Sequence, residues 1–266
     1  MRIFCVLLAF WTATASNRLR DVRERGAALE SEKRWEEAAE LYRSTLQGTE
    51  SMDAADRLWL LMSLAAMAFE RQDYTQTEVW LRQAEQVEGL EENGRERVRL
   101  LGNWGALHLV QGKLTAAERE LSRSVQLGEK IAAPEDRAAA LHNLAAVEMH
   151  LGRLSEAARH QTEALDLWRK ALGERHFYVM KAWIGLSSLQ GLRGDWPGAE
   201  GSLKHALAIG DSQEALANYA VVLDKLKRHK EAKAIRARLR PGAAPIRTLV
   251  DVKALANGGN FAIRSK

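Results

Sequence analysis

Apolar residues recur along this chain at helical spacing, in blocks that repeat. Leu114, Ala117, Leu121 and Ser124 form one such block, and the same phase returns as Leu154, Ala157, Gln161, Ala164 and as Trp196, Ala199, Leu203, Ala206. Fainter copies are Trp35, Ala38, Tyr42, Thr45, then Tyr74, Thr77, Leu81, Ala84, and last His229, Ala232, Arg236, Leu239. The leading positions, 35, 74, 114, 154, 196 and 229, are separated by 39, 40, 40, 42 and 33 residues. Steps of three and four put each set on one face of a helix. A repeat near 40 residues marks an array of like units.

Each block has a partner upstream, with large apolar residues set around a small one. Leu101, Trp104, Gly105, His108 and Leu141, Leu144, Ala145, Glu148 show it, as do Leu61, Leu64, Ala65, then Trp183, Leu186, Ser187, and Leu216, Tyr219, Ala220. Two helices per copy predict a helical hairpin. Small residues on both helices, such as Gly105 near Ala117 and Ala145 near Ala157, let the backbones approach closely. Gly112, Gly152 and Gly194 suit the left-handed residue that ends a helix. Thr115 with Glu118 reads as a capping box, with Leu114 as its staple.

This pattern resembles the tetratricopeptide repeat family, and the resemblance covers residues 19–240. The long step resembles the kinesin-light-chain-like subgroup. Leu167-Trp168-Arg169-Lys170-Ala171-Leu172-Gly173-Glu174-Arg175-His176 is similar to its connecting segment, with Phe177 where that subgroup has Pro. The end copies depart most: Lys33 and Lys227 stand for the turn Gly, and Arg236 for a core aromatic. Terminal copies cap a stack and are expected to be atypical. The expected fold is all-α, a right-handed superhelical solenoid of about six antiparallel helix pairs over 16–240, followed by a short extended tail, 241–266. Pro241 and Pro245 break the helix there. Thr248–Val252 and Phe261–Ile263 then read as a tail that lays its apolar side on the last hairpin, or else as a β-hairpin or a segment that enters the groove.

Composition sharpens this picture. Ala and Leu supply 79 of 266 residues and Val and Ile 20, a ratio that favours helix over sheet. The N-terminus has Arg2, an apolar run from Ile3 to Trp11 and an Ala13-Thr14-Ala15 ending, the form of a secretory signal peptide over 1–15. That run spans only about 14 Å as a helix, too short to remain as an anchor. Export to a periplasmic or extracellular space is the expectation. The single Cys, Cys5, would leave with the leader, which removes disulfide frameworks and thiol catalysis.

Residues 225–266 carry 12 basic against 2 acidic residues, whereas 16–224 carry 26 against 33. The cluster Lys225, Lys227, Arg228, Lys230, Lys233, Arg236, Arg238 and Arg240 reads as a solvated end cap or as a patch for an anionic membrane surface. The lack of interleaved aromatics argues against nucleic acid. No nucleophile elbow, zincin motif or phosphate loop is present. His142 and His150 stand about two turns apart, too far to share one zinc. We therefore expect no catalytic residues, no metal and no cofactor; an unrecognised site through His142 and His150 is the enzymatic alternative.

In a superhelix of hairpins the first helix of each pair lines the concave face. Helical phase places Trp59, Met62 and Phe69 there from the second pair, Arg99 and Asn103 from the third, His142, Asn143 and Met149 from the fourth, and Lys181 from the fifth. Amides can satisfy an extended peptide backbone, and the apolar side chains can receive an anchor. Trp59 and Phe69 are equally readable as core between repeats. The expected function is a scaffold that holds a peptide or protein segment in its groove. The alternative is an envelope-assembly factor that docks through its basic end. The Lys and Asn clamp for terminal carboxylates found in chaperone-binding members does not line up with these residues.

Overall fold

The computed structural model describes residues 19–240, except 30–31, 33, 49–51 and 90–93; the segment 1–15 expected as a leader and the segment 241–266 expected as an extended tail lie outside the described residues. Among the described residues the chain is all-α, with twelve helices and no strand. They are α1 (19–29), α2 (Trp35–Gln47), α3 (Ala54–Glu70), α4 (Tyr74–Glu85), α5 (Gly94–Val110), α6 (Leu114–Lys130), α7 (Pro134–His150), α8 (Leu154–Leu172), α9 (Phe177–Leu192), α10 (Trp196–Ile209), α11 (Gln213–Lys225) and α12 (His229–Arg236). The even-numbered helices begin at Trp35, Tyr74, Leu114, Leu154, Trp196 and His229, the six positions the repeat predicts.

The tight turn inside five of the pairs, α3–α4 to α11–α12, is one motif used again. Asp73 N–H reaches the Ala68 carbonyl and Gln72 N–H the Phe69 carbonyl; the same two bonds recur at 113/112, 153/152, 195/194 and 228/227. This is the Schellman arrangement, which needs a left-handed residue just past the helix. Gly112, Gly152 and Gly194 supply it at φ of 73°, 75° and 78°, while Gln72 and Lys227 are held there at 61° and 62° despite their side chains. The expected capping box does not form. Helix α6 starts at Leu114, so its N-cap is Lys113, two residues before Thr115, and Lys113 makes no side-chain cap bond. Thr115 is thus already inside the helix, and Glu118 pairs instead with Arg153 at 2.8 Å. Capping aspartates occur in other pairs: Asp73 accepts from Gln76 N–H and Asp195 from Gly198 N–H.

The chain divides into two compact units, residues 1–103 and 104–266. In the first, Leu19 and Val22 of α1 pack with Ala38 and Tyr42 of α2 and with Leu60, Leu64 and Met67 of α3. In the second, Leu141, Ala164, Trp168 and Val179 join α7, α8 and α9. Ile184, Leu203 and Val222 do the same for α9, α10 and α11. Each fully buried Leu or Ile contributes roughly 1.5–3 kcal/mol of transfer free energy. Close approach depends on absent side chains. A Cβ on Gly105 would collide with Leu121, and one on Gly185 would lie 2.7 Å from the Gln161 amide nitrogen. Ala145 and Ala157 share one cluster, as their spacing predicts.

The basic end is partly neutralised by the protein itself. Arg228 binds both Glu200 (2.7 Å) and Glu231 (2.6 Å), Arg236 binds Asp224, and Arg238 lies 3.0 Å from Asp211. The lysines take no such partners among the described residues; Lys225 lies over the Trp196 ring at 5.6 Å.

Candidate functional site

The inner-face candidates fall in both units and are placed differently in each. In the first unit Trp59 is half-buried, edge-on to Tyr42 at 5.2 Å, with the Arg23 guanidinium 4.6 Å from its ring centre. Met62 is buried, and the Asn103 amide meets its sulfur at 3.8 Å. Phe69 packs edge-on to Tyr74, and Arg99 pairs with Glu96 one turn away. These side chains are therefore largely occupied with one another and with the core.

In the second unit His142, Lys181 and Glu214 share one electrostatic neighbourhood. Lys181 Nζ binds Glu214 Oε2 at 2.8 Å, joining α9 to α11. His142 Nδ1 lies 3.0 Å from Gln161 Oε1, while Gln161 Nε2 donates to the Ala182 carbonyl at 2.9 Å. With the amide nitrogen so engaged, Oε1 faces the histidine as acceptor and His142 carries its proton on Nδ1. Burial holds the His142 pKa below its ordinary value; the Gln161 bond raises it, Lys181 lowers it and Glu214 raises it. Asn143 and Met149 are half-buried on the same helix, and Met149 packs on the Ala145–Ala157–Leu189 cluster.

Two residues beside this site stand out only in the structure. Phe177 and Tyr178, at the start of α9, are 53% and 47% exposed. Tyr178 stacks on buried Trp168 at 5.2 Å, and Trp168 lies 5.6 Å from His142. Lys181 Nζ sits 5.7 Å from the Phe177 ring centre. An aromatic ledge thus adjoins a charged pair and a neutral imidazole. Glu214 was findable in the sequence, because it holds on α11 the phase that Lys181 holds on α9. Phe177 and Tyr178 carried no such signal, since they form the first turn of α9, ahead of the residues that carry the repeat's periodicity.

A second polar pair lies behind the face. Glu148 is buried, and His160 Nδ1 is 2.8 Å from its Oε2. Arg159, which can only donate, contacts His160 Nε2, so Nδ1 carries the proton given to Glu148. Among the described residues no group of three His, Cys, Asp or Glu side chains could hold a metal ion, and no helix is long and apolar enough to cross a membrane.

Helix pairs joined by one recurrent turn define a helical-repeat protein. The family described as tetratricopeptide repeat matches residues 136–212, within the second unit. Solved structures extend the likeness to the rest of the chain. BtubC (BKLC) from P. vanneervenii is 15% identical with a TM-score of 0.60, covering 92% of this chain and 94% of its own. The Pseudomonas aeruginosa pilF product is 17% identical with a TM-score of 0.56, covering 91% and 98%. A putative kinesin light chain with nearly identical TPR-like repeats from Podosopora anserina is 20% identical with a TM-score of 0.53, covering 72% and 94%. At such identities the likeness establishes the fold. No curated protein matches the chain in sequence.

Proposed function

We propose that the protein is a non-enzymatic scaffold, exported to the cell envelope, that holds a peptide or protein segment on the inner face of its odd-numbered helices. The observation that carries this reading is the ledge of Phe177 and Tyr178 beside the Lys181–Glu214 pair and His142, with half-buried Asn143 the next residue of α7. Exposed aromatics with adjacent directional polar groups are what a peptide needs for anchoring and register. His142 is tied to Gln161 and not to a carboxylate or a nucleophile, so it lacks the partners of a catalytic dyad. Export rests on the pattern of residues 1–15. Membrane docking through the basic end is the weaker reading, because Arg228, Arg236 and Arg238 are already paired.

The test compares partner retention from native envelope extract by the mature chain and by a Tyr178→Ala/Asn143→Ala variant, with circular dichroism as a folding control. A protein retained by the first and reduced at least tenfold with the second supports the reading. Equal retention by two equally helical proteins moves the working surface elsewhere.

A further inference from the structure

We propose that residues 246–252 of this chain dock in extended form on the aromatic ledge at the start of α9. The described chain ends beside that surface. Arg240 N–H donates to the Gln213 side chain at 2.8 Å. The next residue of α11, Glu214, holds Lys181 at 2.8 Å, and Lys181 Nζ lies 5.7 Å from the Phe177 ring centre. Pro241 follows, and a proline keeps the residue before it out of helical geometry, so α12 does not extend past this point. Residues 241–245 can span about 17 Å, more than the roughly 8–10 Å between packed helix axes.

The pattern of the segment suits such a surface. Ile246, Thr248, Val250 and Val252 alternate with Arg247, Leu249, Asp251 and Lys253, so an extended backbone gathers Ile246, Val250 and Val252 on one side. A lone strip of this kind has no core of its own and needs an apolar surface to pack on. Phe177 and Tyr178, 53% and 47% exposed, provide one. Val221, also exposed, stands two turns beyond Glu214 on the same side of α11 and adds a third apolar position. The other surface at the chain's exit, α12, is unsuited. Its exposed side chains include Lys230, Glu231, Lys233 and Arg236, and residues 241–266 themselves carry four basic residues against one acidic. Like charges oppose docking there, whereas Lys181 at the ledge is already paired with Glu214. A docked segment would compete with a partner for the ledge; that consequence rests on the scaffold reading, and the docking itself does not.

The experiment is hydroxyl-radical footprinting of the full chain and of an Ile246→Asp/Val250→Asp/Val252→Asp variant, read by mass spectrometry of peptic fragments. Phe177 and Tyr178 should be labelled at least threefold more in the variant, while Trp35, in the first unit, is labelled equally in both. Circular dichroism checks that the two proteins are equally helical. A synthetic peptide of residues 241–266, added to the variant, should restore protection of the ledge, and a scrambled peptide should not. Independently, a Val250→p-benzoylphenylalanine chain is irradiated at low protein concentration, and its crosslinks should fall within the first two turns of α9 or on the Glu214–Val221 face of α11. Equal labelling of Phe177 and Tyr178 in the two proteins would overturn the proposal. So would crosslinks confined to α12, crosslinks that join two copies of the chain, or none. Neither measurement contains a partner, so failure here is distinct from failure to retain an envelope protein and leaves the scaffold reading untouched.

Discussion

Gln161 joins three helices with one amide. It belongs to α8, accepts from His142 on α7 and donates to the Ala182 carbonyl on α9, and Gly185 leaves room for it. A buried amide with both ends satisfied is stabilising, whereas losing one partner would leave the other desolvated and unpaired. The same contacts fix the ionisation of His142. Burial keeps its folded pKa below the ordinary value of 6.5, so the unfolded chain binds a proton that the folded chain resists. Stability from this group is therefore complete above about pH 6.5 and falls as pH drops through that value. His150, whose pKa burial also lowers, acts in the same sense. The thermal midpoint should fall between about pH 7.5 and 5.5, above the range where carboxylates titrate. His142→Gln should reduce that slope. A flat midpoint, or an unchanged slope in the variant, would mean that His142 is not held neutral in the fold.

Helix boundaries show how much of this protein is legible in its sequence. Six helix starts are readable to the residue, and before five of them, α4, α6, α8, α10 and α12, a Schellman turn demands a fixed count between the left-handed residue and the next helix. Capping was harder to read. Thr115 and Glu118 have the spacing of a capping box, but the turn places the N-cap at Lys113, so both residues sit in the first turns of α6. The aspartates at the same turn position, Asp73 and Asp195, are true caps. Asp73→Ala should therefore cost about 1 kcal/mol in urea unfolding, while Thr115→Ala should change stability by less than about 0.5 kcal/mol. A larger loss at Thr115 would restore the capping box. The site was legible in phase and not in engagement. Periodicity puts Met62, His142 and Lys181 on inner faces, but whether each is free depends on the helix across from it. That helix buries Met62 and pairs Lys181 with Glu214, and a single strand of periodicity does not report it.

At the scale of the whole molecule, the second unit is a one-dimensional stack. Helix α9 packs on α8 and α10 and also meets α7 and α11, while α12 packs on α11. Stability in such an array is set by interfaces with immediate neighbours, so an end helix has half the support of an inner one. Helix α12 is eight residues long, and its one buried residue is Ala232. What else holds it is electrostatic: Arg228 bridges Glu200 on α10 and Glu231, and Arg236 reaches back to Asp224 on α11. Glu200 is largely covered, but the Arg228–Glu231 and Arg236–Asp224 pairs are exposed, and such pairs are weak and are screened over about 10 Å at 0.1 M salt. Amide exchange should accordingly be slowest in α9 and fastest, among α7 to α12, in α12. Raising salt to about 0.5 M should speed exchange in α12 and leave α9 unchanged, because α9 is held by Val179, Ala182, Ile184 and Leu189 in its interfaces. Mass spectrometry of peptic fragments would resolve the two helices. If exchange in α12 ignored salt, the packing of Ala232 and Ile235 would be what fastens the end of the stack. The arginines there would then be free to exchange their acidic partners for an anionic surface, and the basic-end reading of the protein would regain the weight that these ion pairs now take from it.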